Sequence, residues 1–173
     1  MTEARQILPG SEHAAPRGVQ ASGRVVGSDL ITVSVYLRPE QSEPVAADAA
    51  PVVHSRATLR HVRDDAQAAN IAAVTAFAAE AGLNVIEADA ARRRVQLRGT
   101  ASALEAAFGT ELHRYERDGA TYRGRLGTLS VPADVADSIL AVLGLDTSPV
   151  ATPKFVPHRG STPPRGFLPT EVA

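Results

Sequence analysis

The chain has 173 residues with a formal net charge of −1, from 18 Lys+Arg against 19 Asp+Glu, and 44% of its residues are hydrophobic. These figures predict one globular domain with a small additional segment, and they argue against a protein built mainly to bind nucleic acid or an anionic membrane surface. The absence of cysteine excludes disulfide scaffolds, cysteine-zinc sites, iron–sulfur clusters and thiol catalysis.

The composition changes twice along the chain. Residues 1–27 are rich in Gly, Pro, Ser and charge without hydrophobic periodicity, so we expect a flexible arm. They contain no long apolar run, and neither a signal-peptide core nor a membrane-spanning helix is expected there. Residues 28–147 alternate strand-like and helix-like patterns and form the expected domain. Residues 148–173 carry closely spaced prolines, which block helix formation and predict an extended linker.

The domain begins with a strand and a helix. Residues 30–37 alternate β-branched apolar residues with polar ones, which predicts a strand with Ile31, Val33, Val35 and Leu37 on one face. Residues 40–50 are acidic and alanine-rich, and their pattern fits either a loop or a short helix.

A helix is predicted over residues 66–81. Asp64 and Asp65 suit its positive N-terminus. Gly82 fits the left-handed position after the last turn, with Leu83 folding back on the helix.

Two strands and a short helix follow. The strands are predicted at residues 83–87 and 92–98, and Val95 and Leu97 point inward on the second. The helix after them carries Leu104, Ala107 and Phe108 and stops at Gly109. Thr100 or Ser102 caps this helix, and Ser102 with Glu105 has the spacing of a capping box.

The last third of the domain contains an inserted hairpin and a final strand. Strands at residues 110–116 and 121–123 are joined by a turn at Asp118–Gly119. Pro132 suits the first position of a short helical turn, and residues 139–143 form the final apolar strand.

The predicted order is strand, helix, strand, strand, helix, strand, with the hairpin inserted before the last strand. This is the split βαβ pattern of ferredoxin-like α+β folds. We therefore expect an antiparallel sheet with helices on one face, an open second face, and an extended proline-rich C-terminal linker.

The sequence shows no catalytic or metal-binding motif. None of the histidines lies in a serine-nucleophile context such as G-x-S-x-G, and we expect them to be isolated surface or edge residues. No H-E-x-x-H or calcium-loop pattern is present, so no metal or cofactor is expected. The histidines are His13, His54, His61, His113 and His158.

The densest basic run is Arg92–Arg93–Arg94. A nucleic-acid interface needs further basic residues with interleaved aromatic side chains on one face. Glu80, Glu87 and Asp89 lie close in sequence and can offset the run. We therefore expect no nucleic-acid partner and a solvated strand entrance at this point.

Several segments together resemble the activation prodomains of the sedolisins, a family of serine-carboxyl peptidases, in particular those of the kumamolisin type. The resemblance spans most of residues 28–155, including the first strand and the helix that stops at Gly82, and residues 141–151 are its most specific part. The matching segments are 106–112 (AAFGTEL), 121–123, 131–132 and 141–151 (AVLGLDTSPVA).

The end of the chain extends the resemblance. Residues 167–173 (FLPTEVA) are similar to the opening of the mature peptidase. The family's catalytic Glu and Asp and its Ser-Gly-Thr-Ser motif are absent, so the resemblance implies a pro-segment that is not an enzyme on its own. It needs no cofactor, although the family's catalytic domain binds calcium.

The resemblance implies a specific partner and function. The prodomains of this family pack their open sheet face on the catalytic domain, inhibit it, assist its folding, and are released by self-cleavage at acid pH after their linker has crossed the active-site cleft. The implied partner is thus a sedolisin-type catalytic domain, in cis or in trans, without nucleic acid or membrane. The implied location is extracellular.

The predicted strand alternation indicates which residues form the docking face. The resemblance implies that a processing site lies in the linker. If the apolar residues face the helices, six polar ones lie on the open face, and their composition suits a protein interface. Lys154–Phe155 is the expected early cleavage site, with Arg159–Gly160 and Arg165–Gly166 as competitors. The six residues of the predicted docking face are Thr32, Ser34, Tyr36, Arg94, Gln96 and Arg98.

Two other interpretations stay open. The same element order supports a stand-alone ferredoxin-like module for protein binding or oligomerisation. A small enzyme with a site assembled from scattered residues is the third. The tail resembling the start of a peptidase favours the prodomain over the free module. The lack of nucleophile–base or metal-ligand spacing disfavours the enzyme.

Overall fold

The computed structural model describes residues 4–14, 18–39, 55–117 and 119–148. Its strands and helices alternate as the hydrophobic pattern predicts from residue 30 onward. In chain order the elements are β1 (Arg5–Ile7), β2 (Ala21–Arg24), β3 (Leu30–Leu37), α1 (Arg56–Glu80), β4 (Asn84–Asp89), β5 (Arg94–Thr100), α2 (Ala101–Phe108), β6 (Leu112–Arg117), β7 (Ala120–Arg125), β8 (Ser130–Pro132), α3 (Ala133–Ala136) and β9 (Ile139–Leu143).

The main sheet has four antiparallel strands in the order β4-β5-β3-β9. With α1 between β3 and β4, and α2 between β5 and β9, this is the strand order of a ferredoxin-like fold. Both helices pack on the same face, because their apolar residues share one core with the inward residues of β3 and β5. The predicted α+β fold with an inserted hairpin is confirmed.

The central strand β3 shows why this sheet has one apolar face. Ile31, Val33, Val35 and Leu37 are all buried, whereas the polar residues between them are exposed or half-buried. On its neighbour β5, Val95 and Leu97 are fully buried. Successive side chains of a strand point to opposite faces, so the predicted alternation is confirmed and the core lies between this sheet and the two helices.

The helix α1 begins ten residues earlier than the sequence predicts. Its N-cap is Ser55, whose hydroxyl accepts a hydrogen bond from the Thr58 amide at 3.1 Å. Asp64 and Asp65 therefore lie inside the helix and not at its N-terminus, and that prediction is wrong. The hydrophobic pattern did not indicate the true start of α1, because the first turns of the helix have no apolar stripe and the signal there is one N-capping serine.

The end of α1 follows the prediction. Gly82 has φ +67°, its amide bonds to the Ala79 carbonyl, and the Leu83 amide bonds to the Ala78 carbonyl at 2.8 Å. These two bonds form a Schellman motif, which satisfies carbonyls of the last turn. Leu83 is buried in the core, as expected for a residue that folds back on the helix.

The structure shows which of the predicted residues cap the N-termini of α2 and α3. Thr100 is the N-cap of α2, and its hydroxyl accepts from the Ala103 amide at 3.2 Å. The capping-box prediction is wrong, because the Ser102 hydroxyl donates to the Gly27 carbonyl and Glu105 accepts from the Leu112 amide. Pro132 ends β8 and serves as the N-cap of α3, one position before the predicted one.

The first 27 residues differ most from the prediction. β1 pairs antiparallel with β8, and β2 joins the β6–β7 hairpin in a second sheet of order β2-β6-β7. Leu8 is only 2% exposed and belongs to the core. The Arg5 guanidinium donates to the carbonyls of Ala107 and Ser130. The flexible arm is therefore wrong for residues 4–14 and 18–27, which are held by backbone pairing that needs no hydrophobic periodicity.

Two predicted segments, residues 40–50 and 149–173, lie outside the described residues. The described helices include none with the length and apolar character needed to cross a membrane.

Candidate functional site

The open face of the main sheet brings the six predicted docking residues together. Thr32 lies directly opposite Arg98, Ser34 opposite Gln96, and Tyr36 opposite Arg94. These three pairs lie side by side on β3 and β5, because every second residue of an antiparallel pair shares a face. The face is opposite the helices, since the residues between the pairs are buried in the core.

The outer strands add residues to this face beyond the six predicted ones. On β4, Asn84 pairs with Arg98, Glu87 with Gln96 and Asp89 with Arg94, so these three side chains extend the face. A register shift between Val85 and Glu87 makes this placement possible, because an inserted residue changes which side chains share a face. Such a bulge has no clear signal in a single sequence.

The strand β9 adds an apolar border. Leu143 lies opposite Ser34 and is 56% exposed. At the start of β3, Leu30 is 63% exposed and lies opposite Thr100. The open face therefore combines arginine and tyrosine, which are enriched at protein interfaces, with exposed leucine at its border.

The two predicted arginines of the face differ in their electrostatics. Arg94 forms an ion pair with Glu87 on the adjacent strand, and its Nε atom is buried without a hydrogen-bond partner. No acidic side chain in the described ranges pairs with Arg98, which is exposed. Arg98 is thus the arginine of this face whose guanidinium is available to a partner's carboxylate.

At the turn between β4 and β5, acidic side chains pair with arginines of the basic run, as predicted. Arg92 donates to Asp89 from both its backbone amide and its guanidinium, each at 2.9 Å. The amide hydrogen bond in particular holds the pKa of Asp89 below its usual value of 3.8. Together with the Arg94–Glu87 pair, this makes the entrance to β5 a locally compensated charge cluster. Arg92 and Arg93 are exposed, as predicted for a solvated strand entrance.

The described histidines do not form a catalytic arrangement. His13 lies 3.0 Å from an Asp146 carboxylate oxygen, and His113 lies 3.4 Å from Glu111. His61 is exposed on α1, while His54 and His158 lie outside the described residues. Over the described ranges, no three His, Cys, Asp or Glu side chains cluster in a way that could hold a metal ion.

The predicted processing site is not placed by the structure. Lys154 and Phe155, with the competing bonds after Arg159 and Arg165, lie outside the described residues, which end at Ser148. What the structure does describe is the segment from Gly144 to Ser148, which leads from β9 toward them.

Comparison with known proteins gives two consistent matches. Residues 17–148 match the family model described as "Pro-kumamolisin, activation domain". The chain is also 33% identical over 193 aligned residues to kumamolisin from Bacillus sp. (strain MN-32), an alignment that covers 99% of this chain and 34% of that relative. The chain thus spans about a third of the length of the curated relative it matches. The family match includes every element from β2 to β9.

Proposed function

The chain belongs to the family of pro-kumamolisin activation domains, and on that basis we propose that it is the pro-segment of a sedolisin-type serine-carboxyl peptidase. In this proposal the domain inhibits the peptidase, assists its folding, and is released by autoprocessing at acid pH. Its partner is the catalytic domain, in cis or in trans. The proposed setting is extracellular.

The observation that supports the inhibitory function is the face of the main sheet that no described helix covers. Helices cover the other face, whereas this one presents three polar pairs bordered by Leu30 and Leu143. An antiparallel sheet often leaves one face to solvent. The two leucines, each more than half exposed, add apolar area that a protein partner would bury. We propose that this face docks on the catalytic domain.

Acid release follows from Arg98 in this proposal. A carboxylate of the peptidase that pairs with Arg98 has its pKa lowered in the complex. The favourable contribution of that pair is present above the pKa of the free carboxyl, about 4. It is lost as the pH falls through the lower pKa of the bound state. Arg94 contributes less to this effect, because Glu87 already pairs with it.

The linker completes the proposed inhibitory arrangement. Residues 149–173 contain prolines that disfavour helix, and such segments lose little entropy when they bind in an extended groove. We propose that they cross the active-site cleft and that the bond between Lys154 and Phe155 is an early cleavage site. N-terminal sequencing of the products after acidification tests this choice against the bonds after Arg159 and Arg165.

The deciding experiment mixes the purified chain with a mature kumamolisin-type peptidase and follows peptide cleavage from neutral to acid pH. Tight inhibition that weakens on acidification is the expected result. A folded chain that neither binds nor inhibits at any pH contradicts the proposal and favours a stand-alone protein-binding module. Inhibition that keeps its strength as the pH falls well below about 4 contradicts the carboxylate–arginine account of release alone.

A further inference from the structure

The chain does not leave the domain directly at the end of β9. Gly144 has φ +99°, and a Cβ at this position would lie 3.0 Å from the Thr32 carbonyl oxygen. Both conditions favour glycine. After it, Leu145 is 1% exposed and returns to the core. The backbone thereby turns away from the main sheet and runs toward β7 of the second sheet.

The Arg123 side chain on β7 holds this turn. Its Nη2 donates to the Gly144 carbonyl at 2.7 Å and its Nε to the Leu145 carbonyl at 2.9 Å. The planar guanidinium presents parallel donors, so it fixes two successive carbonyls at once. Partial burial lowers the pKa of Arg123, and the nearby Asp146 carboxylate opposes this effect.

The next residues are tied to the same strand. The Thr147 amide donates to the Arg123 carbonyl at 2.8 Å, and the Arg123 amide donates to the Thr147 hydroxyl at 2.9 Å. Asp146 accepts from the Ser148 amide at 2.6 Å and contacts His13 at 3.0 Å. Residues 144–148 therefore have partners on β7 and in the N-terminal segment up to the last described residue.

We propose that Arg123 and Thr147 form an exit clamp that fixes where and in which direction the linker leaves the domain, and thereby which linker bond is cut. Solvent could satisfy the carbonyls of an exit segment equally well, and segments beyond the last strand of a domain ordinarily fray. Here a part-buried arginine and a threonine are both used to prevent fraying. Arg123 is a positioning residue in this proposal, which rests on the proposed function.

Chain geometry shows why the origin of the linker matters. At about 3.3 Å per extended residue, Lys154 reaches at most about 20 Å from Ser148, and Arg159 about 36 Å. A shift of the origin by about 3 Å moves the linker by one residue in a groove. Release of residues 144–148 adds roughly 16 Å of slack, which is enough to bring several bonds to the same catalytic centre for hydrolysis by water.

The test compares Arg123→Ala and Thr147→Val with Arg114→Ala as the matched control. Arg114 lies directly opposite Arg123 on β6, but its guanidinium pairs with Asp29, whereas that of Arg123 binds the carbonyls of Gly144 and Leu145. Each variant, as the chain of 173 residues, is mixed with a kumamolisin-type catalytic domain. The dissociation constant is measured at neutral pH, and the cleaved bonds are then mapped by mass spectrometry after acidification.

The expected result is a dissociation constant within threefold of wild type for all variants. The dominant cleavage product should fall at least threefold in share for the two clamp variants, with neighbouring bonds cut instead. The control should keep the wild-type pattern. An unchanged pattern in both clamp variants overturns the proposal, and Thr147→Val keeps it testable if Arg123→Ala fails to fold.

A second readout separates the clamp from the proposed function. Amide hydrogen exchange of the free wild-type chain should show protection at Thr147 and Ser148 that Arg123→Ala reduces at least tenfold. Unprotected amides in the folded wild-type chain overturn the clamp without any peptidase. A protected clamp in a chain that binds no catalytic domain instead refutes the proposed function and, with it, the linker-positioning role.

Discussion

Charge reversal at Arg94 should mainly reduce stability, whereas charge reversal at Arg98 should mainly weaken binding. Arg94→Glu removes the ion pair with Glu87 and places a third carboxylate beside Glu87 and Asp89. A lost exposed pair costs up to about 1 kcal/mol, and a like-charged cross-strand neighbour costs a similar amount. The free energy of unfolding should therefore fall by about 1–2 kcal/mol.

Arg98→Glu has no such cost, because its cross-strand neighbours Thr32 and Asn84 are uncharged. Its free energy of unfolding should stay within about 0.5 kcal/mol of wild type. If the open face docks on carboxylates of the partner, Arg98→Glu should weaken binding by about 1.5 kcal/mol or more. This corresponds to an increase of at least roughly tenfold in the dissociation constant.

Urea denaturation and the dissociation constant for a kumamolisin-type catalytic domain at neutral pH measure the two effects separately. Arg60→Glu is the matched control, since this exposed arginine lies on α1, the layer that covers the opposite face. Equal stability of the Arg94 and Arg98 variants would refute the ion-pair reasoning. Unchanged binding of the Arg98 variant, in a chain whose wild type binds, would remove the open face from the interface.

Three further predictions concern the fold itself. Phe108→Ala empties a fully buried site and should lower the free energy of unfolding by about 3–5 kcal/mol in denaturant titration; a loss below about 1 kcal/mol would contradict this. Gly144→Ala should lower the melting temperature more than Gly127→Ala, because both have positive φ but a Cβ meets neighbouring backbone only at Gly144; equal shifts would refute the steric argument. Because the Arg92 amide lowers the pKa of Asp89, the Asp89 contribution to stability is present above pH 3.8 and lost below it. Asp89→Asn should therefore flatten the stability curve below pH 3.8, and an unchanged slope there would contradict the assignment.

Local patterns in the sequence determined the main sheet and its helices. The alternation in β3 sets which residues are buried, because side chains of a strand point alternately to its two faces. Gly82 ends α1 and Gly109 ends α2, because a left-handed residue after the last turn closes a helix at little steric cost. These signals involve residues within a few positions of each other. The six residues of the predicted docking face follow from the same alternation, although their role in docking stays a prediction.

Tertiary structure alone decided the features that join distant parts of the chain. β1 and β2 form because β8 and β6 offer free edges to the N-terminal segment. Whether Arg94 or Arg98 is free depends on the bulge in β4 that sets Glu87 in place. The contact of Arg123 with Gly144 and Leu145 depends on two sheets meeting at the exit. In each case, the partner of a residue depends on where the folded backbone leaves hydrogen-bond donors and acceptors unpaired. The periodicity of a single sequence does not indicate these positions.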